Sequence, residues 1–199
     1  MKSVVISHSK GGVGKTTAAV NLAYLGGQAG HSTLLVDLDA QGAASYILRV
    51  DGVVGAKAKK LAAGKRSVTE AIVASDYPNL DVLPASRSLR KLDLLLEGRK
   101  EKKDGPDGLA RLLERFGREH DLVVVDAPAG IHLEVERIAW PVDLVLVPLV
   151  PSPLAVTAFR DFRAFLEKRV PDVTIAAFFS MIDRRKRLHK DTYSVVGAE

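Results

Sequence analysis

The chain is 199 residues long, 47% hydrophobic and 27% charged, which suits one domain with a sizeable core. It has no cysteine, which excludes disulfides, thiolate catalysis and a thiolate-held iron–sulfur cluster. The net charge is +5, and residues 184–190 alone carry five Lys/Arg and no acid, so the rest of the chain is neutral and the basic character is a local patch.

The first residues run straight into a strand, so no signal peptide is expected, and no apolar run approaches the ~20 residues that span a bilayer. A cytoplasmic location follows as the expectation. Short Val/Leu/Ile-rich runs without strict alternation predict strands buried on both faces over Ser3–Ser7, Thr33–Asp37, Leu80–Leu83, Leu122–Asp126, Leu144–Pro148 and Val173–Phe179. Between them, helices are predicted over Lys15–Gln28, Val68–Ala74, Leu89–Glu97, Leu109–Glu119, Leu133–Ala139 and Leu154–Lys168. The charged, Gly/Pro-rich stretch 97–108 reads as an exposed loop, and Gly52–Gly64 as a second irregular, basic stretch. The alternation predicts a single α/β domain over 1–199: a doubly wound, mostly parallel sheet with helices on both faces.

The segment Lys10-Gly-Gly-Val-Gly-Lys-Thr-Thr17 stands between the first strand and the first helix, the context a phosphate-binding loop requires. Gly11, Gly12 and Gly14 let backbone N–H groups curl around phosphate oxygens, and the helix begun near Lys15 turns its positive end to the same anion. Lys15 can reach the β/γ-phosphates and the Thr16 hydroxyl can ligate Mg²⁺. A glycine-rich turn without a ligand is the competing reading, and the strand–helix context weighs against it. Two further strands end in acids. Thr33–Asp37 continues as Leu-Asp39-Ala-Gln41-Gly42, which places carboxylates at the carboxyl edge of the sheet, where open α/β sheets bind ligands. Leu122–Asp126 continues as Ala-Pro-Ala-Gly130, a Walker B pattern in which Asp126 serves the Mg²⁺ shell or the Thr16 hydroxyl.

The general loop pattern needs a glycine where this chain has Ser9, and a second lysine, Lys10, opens the loop instead. That form, K-G-G-V-G-K-T-T, resembles the deviant Walker A motif of the ParA/MinD family of ATPases. The resemblance implies a P-loop NTPase fold, ATP and Mg²⁺ as cofactors, and ATP hydrolysis. It assigns phosphate binding to Gly11, Gly12, Val13, Gly14, Lys15, Thr16 and Thr17, with Thr17 at the α-phosphate. Lys10 would contact the nucleotide of a partner subunit in an ATP-bound homodimer, Asp39 would position the attacking water, and Thr16, Asp37 and Asp126 would serve the metal. The family's D-x-D-P-Q-G has Ala40 for its proline here, and its D-x-P-P has Ala129 for the second.

Within the family the chain is most like the small plasmid-partition ParA proteins. The loop begins ten residues in, so no N-terminal helix-turn-helix domain is expected. Val147-Pro-Leu-Val-Pro-Ser-Pro-Leu154 resembles a V-P-x-x-P-S-P segment of small partition ATPases, and Phe179-Ser-Met-Ile-Asp-Arg-Arg185 resembles their L-T-M-x-D-x-R stretch. By this resemblance Met181 is an adenine contact, with plain core as the alternative. Arg184, Arg185, Lys186, Arg187 and Lys190 become a surface for non-specific DNA, although alone the run reads as a solvated turn. The tail 191–199 reads as too short and too weakly apolar for the amphipathic membrane helix of MinD, so no membrane partner is expected. Relatives continue with a further strand and helix, so the chain is either a compact variant or truncated.

The function implied is a nucleoid-associated DNA-partition ATPase: an ATP-sandwich dimer that hydrolyses slowly when a small centromere-binding, ParB-like protein stimulates it. The alternatives are a positioning ATPase with a protein-complex cargo and a metabolic P-loop enzyme. Trp140 reads as core or interface packing, and His8 and His132 as structural, with phosphate sensing the alternative for His132.

Overall fold

A computed structural model describes residues 1–51, 68–85, 112–113, 115–129, 136, 138–139 and 141–196. The elements in chain order are β1 (Lys2–Ile6), α1 (Lys15–Gln28), β2 (Thr33–Asp37), α2 (Ala43–Ile47), a 3₁₀ turn (Thr69–Ala71), β3 (Val73–Ala74), β4 (Leu80–Leu83), β5 (Leu122–Asp126), β6 (Leu144–Leu149), α3 (Pro153–Arg169), β7 (Thr174–Phe179) and α4 (Arg187–Val196).

The strands form one seven-stranded sheet in the order β3-β4-β2-β5-β1-β6-β7, parallel throughout except for the antiparallel β3–β4 pair. Alternate strand residues feed two cores. Val5, Leu34, Val36, Val123, Val125, Val145 and Val147 pack on one face with Phe116, Phe162 and Leu166. Val4, Ile6, Leu35, Val82 and Val124 pack on the other with Ala19, Val20 and Ala23 of α1 and Ala44 of α2. Burial on both faces is why these runs lack polar alternation. Helix α1 approaches closely because its inner face is Ala and Gly: a Cβ on Gly26 would stand 2.7 Å from Leu122 Cδ2.

Register sets the site. Ile6 pairs with Asp126, and Asp126 pairs with Asp37, so three adjacent strands end at one level. The phosphate loop leaves from β1, at one side of that row.

Besides adding α2, which no sequence pattern announced, and moving the ends of β1, β6 and β7 by one residue, the structure departs from the sequence reading in three places. The predicted helix Val68–Ala74 is a 3₁₀ turn that Ile72 ends in extended backbone, followed by the edge strand β3, paired Val73 with Val82. Helix formation there loses to a β ladder that suits Ile72 and Val73. The tail, for which no amphipathic helix was expected, is largely taken up by α4, which begins inside the basic run. Its Tyr193 ring lies 5.6 Å from that of Phe179, so tertiary packing holds a helix the local composition did not announce. The third departure is small: α3 starts one residue earlier than predicted, with Ser152 accepting the Ala155 N–H as its cap.

Helical backbone at 112–113 and 115–116, and at 136 and 138–139, falls within the predicted helices Leu109–Glu119 and Leu133–Ala139. The predicted helix Leu89–Glu97, the stretches 52–64 and 97–108, His132 and Trp140 lie outside the described residues. No helix among the described residues is long and apolar enough to cross a membrane.

Candidate functional site

Ser7 carries β1's ladder one step further, its N–H bonding to Leu146 C=O at 3.1 Å, and the chain then turns into the loop. Gly12 (φ 71°) and Gly14 (φ 98°) take left-handed conformations that other residues adopt with strain. A Cβ on Gly14 would also stand 2.8 Å from Ser180 Oγ, while Gly11 and Gly12 face open space. Helix α1 starts at Lys15 with no side-chain cap and no acid in its first turn. Its first N–H groups and its positive dipole end therefore point at a glycine-lined cradle, an arrangement suited to an anion. Val13 is buried and anchors the loop, and Thr17 lies exposed on the first turn.

Lys15 is 7% exposed, and its ammonium donates to Lys10 C=O at 2.9 Å. Burial lowers its pKa, opposed by the charges of Asp126 and Asp39. The side chain of Lys10 is exposed, and its N–H donates to Nδ1 of buried His8 at 2.9 Å.

Across from the loop stand three carboxylates. Asp126 is 1% exposed, and among the described residues neither oxygen has a hydrogen bond of good geometry. Its pKa is pushed up to about 7, chiefly by burial, with the nearby Thr16 hydroxyl and Lys15 opposing the rise and Asp37 and Asp39 adding to it. A buried, unpartnered carboxylate beside a hydroxyl fits a divalent cation, which would supply the missing partner. Among the described residues no cluster of three acids or histidines has metal-ligand geometry, so Asp126 and Thr16 would share the ion with phosphate oxygens and water.

Asp37 differs. Its carboxylate accepts from Ser45 Oγ at 2.7 Å, Ser45 N at 2.9 Å and Asp39 N at 3.2 Å. Burial raises its pKa and these bonds oppose the rise. Asp37 is turned onto α2, so Asp126 alone of the two presents free oxygens. Asp39 is half-buried and accepts from Gln41 N–H at 2.9 Å.

Met181 sits at φ 56°, 59% exposed, its Cε 3.9 Å from where Gly14 would carry a Cβ. It borders the phosphate loop and is not core. The basic run is exposed but partly neutralised. Arg185 grips Asp183 through Nε and Nη2, each at 3.0 Å, and Arg187 lies 3.7 Å from Asp191. Arg184, Lys186 and Lys190 have no ion pair among the described residues.

Three contributors escaped the sequence reading. Ser45 lies eight residues beyond Asp37 in no recognisable pattern, Ser180 meets Gly14 only through folding, and His8 gives no sign in sequence that Nδ1 faces the loop.

A family model for the AAA domain matches residues 1–172. The chromosome partitioning protein ParA of Myxococcus xanthus is 33% identical over 150 residues, 73% of this chain and 51% of that protein, so the chain spans about half the length of that relative. Among solved structures, cobyrinic acid a,c-diamide synthase from Mycobacterium smegmatis, with bound ADP and magnesium, superposes with a TM-score of 0.80 at 24% identity, covering 100% of this chain and 81% of that one. A plasmid partition protein from Borrelia burgdorferi superposes with a TM-score of 0.77 at 21% identity, covering 100% and 86%. The two structures share the fold, and the sequence match carries the kinship further: the chain belongs to the ParA/MinD family of P-loop proteins.

Proposed function

We propose that the chain is a DNA-partition ATPase that binds ATP with Mg²⁺ and hydrolyses it slowly within a nucleotide-bridged homodimer. The observation that carries the nucleotide reading is the buried, unpartnered Asp126 carboxylate facing an uncapped, glycine-cradled helix start that holds a buried lysine. The partition role rests on kinship with ParA of Myxococcus xanthus.

In this reading the backbone of Gly11, Gly12, Val13 and Gly14, with Thr17, binds the phosphates. Lys15 leaves Lys10 C=O for the β/γ-phosphates. Mg²⁺ offsets phosphate charge when bound, held by Thr16 and Asp126. Asp37 contributes indirectly, by fixing α2 and the start of the turn that carries Asp39. Asp39 lies beside the cradle, where a carboxylate can orient water for in-line attack. Exposed Lys10 reaches out toward the partner's nucleotide, and Met181 borders the base. Arg184, Lys186 and Lys190, with Arg185 and Arg187, meet DNA phosphates, and a small ParB-like protein stimulates turnover.

The likeness to the diamide synthase supports one other reading, a metabolic P-loop enzyme, because a shared fold does not fix the chemistry done on it. Sedimentation with ATP and Mg²⁺, with and without random-sequence duplex, separates the two. A nucleotide-dependent dimer that retains DNA supports partition. A monomer that ignores DNA would refute it.

A further inference from the structure

The middle of the phosphate loop has little to hold it in place. Gly11 and Gly12 carry no side chains and face open space, so packing cannot set their path. Buried Val13 holds the far side of the loop, and what pins its near side is the backbone of Lys10, bonded at both polar atoms. Its N–H donates to His8 Nδ1 at 2.9 Å, and its C=O accepts from Lys15 Nζ at 2.9 Å. Fixing the N–H and the C=O of one residue fixes both of its backbone dihedrals, and with them the direction in which Cβ leaves the chain.

We propose that His8 is the positioning residue of this loop: by holding the Lys10 N–H, it aims the Lys10 side chain out of the loop and the Lys10 carbonyl at Lys15. This rests on the nucleotide reading above. His8 is suited to the task because it is 4% exposed, two residues past the end of β1. To accept at Nδ1 the ring must be neutral with its proton on Nε2. Burial and the charges of Lys15 and Lys10 lower its pKa, which keeps it so. His8 acts on ligand binding indirectly, through Lys10: without its acceptor the Lys10 N–H has no fixed partner, and the two lysines lose their common reference.

The test compares His8→Leu, His8→Asn and His8→Gln in the full chain. Leu fills the ring's space without an acceptor. The Asn Oδ1 stands about where Nδ1 stands, whereas Gln places its oxygen further out. Calorimetry with Mg²⁺ and ATP, sedimentation with ATP, and thermal melts are run on each. His8→Leu should weaken ATP binding about tenfold, the effect of one lost hydrogen bond near a charged group. It should also raise the protein concentration needed for the ATP dimer, with little change in melting temperature. His8→Asn should recover both properties, and His8→Gln should not. If His8→Leu fails to fold, the contrast between Asn and Gln decides in the same way. Equal ATP affinity and dimerisation in all three variants would overturn the role of His8 alone, as would Asn and Gln behaving alike. A parent chain that binds no ATP would overturn the nucleotide reading and this one with it.

Discussion

Asp37 and Asp126 end adjacent parallel strands in direct register, yet among the described residues Asp37 accepts three hydrogen bonds and Asp126 accepts none of good geometry. Two like charges side by side in a buried place raise each other's pKa. The chain resolves the conflict unequally: α2 and Ser45 stabilise the Asp37 anion, and Asp126 is left to a proton or a cation. This asymmetry explains why only Asp126 is pushed as high as about 7.

Asp126→Asn should therefore stabilise the ligand-free protein at alkaline pH. The folded-state pKa is raised above the ordinary 3.8, so the native state holds the extra proton between about 4 and about 7. Stability contributed by that proton falls as pH rises through this window, by at most about 1.4 kcal/mol per pH unit. The melting temperature of the Asn variant should exceed the parent's at pH 8, and the difference should shrink steadily as pH falls through the window and vanish near pH 4. Added Mg²⁺ and nucleotide should stabilise the parent and not the variant. A parent with the higher melting temperature at pH 8 without ligand would contradict the assignment.

The loop and the strand-end acids were legible in the sequence because each is a local pattern: a strand, a glycine-rich turn and a helix within 28 residues, and carboxylates directly after apolar runs. Their mutual register was not, since Asp37 and Asp126 are brought together by sheet order alone. Ser45, β3 and α4 were missed for the same reason. Ser45 matters through Asp37 and Ala85, β3 exists only as a partner for β4, and α4 depends on Tyr193 meeting Phe179. The basic run was visible, but the pairing of Arg185 with Asp183 depends on a turn that composition does not reveal.

Ser45→Ala is expected to loosen the whole edge of the sheet. The hydroxyl donates to Asp37 and accepts from Ala85 N–H at 2.9 Å, both buried. Losing it leaves the Ala85 N–H without its acceptor and takes one of three hydrogen bonds from Asp37, at a cost of about 2 kcal/mol, or roughly 4–8 °C in melting temperature. Calorimetry showing no change would mean that water replaces the hydroxyl without loss.

The two lysines should separate by function. Lys15→Ala removes the cation inside the cradle and should abolish ATP binding measured by calorimetry. Lys10→Ala should leave monomer binding nearly intact, because its side chain is exposed, but remove the ATP-dependent dimer and turnover. An unchanged ATP dimer in the Lys10 variant, seen by sedimentation, would sink the nucleotide-bridged dimer.

Asp39→Ala should hold the protein in the ATP-bound dimer. Among the described residues the Asp39 carboxylate accepts only from the nearby Gln41 N–H, so truncating it costs little fold stability and leaves the cradle intact. Binding should survive while hydrolysis falls by roughly a hundredfold or more, the scale of a lost water-positioning group. Parental turnover in this variant would assign the water to another residue.

The basic run should contribute to DNA binding unevenly. Arg185 is held bidentate by Asp183 and Arg187 lies near Asp191, so each already has an anion, whereas Arg184, Lys186 and Lys190 are exposed with no ion pair among the described residues, Lys186 reaching Asp183 only through its field. A free cation that meets a phosphate releases counterions, and removing one such cation should flatten the log–log salt dependence by ~0.9. Arg184→Ala, Lys186→Ala and Lys190→Ala should each show that change and act alike on random and partition-site DNA, since phosphate contacts carry no base information. Arg187→Ala should do less, because its pair with Asp191 already competes with a phosphate for the guanidinium. Arg185→Ala should do least to the salt slope but should lower stability slightly, because its fork also holds the turn that precedes α4. The triple change at Arg184, Lys186 and Lys190 should remove DNA binding while ATP binding and dimerisation persist. DNA affinity that is unchanged in this triple variant, measured by anisotropy across a salt series, would move the interface away from α4 altogether.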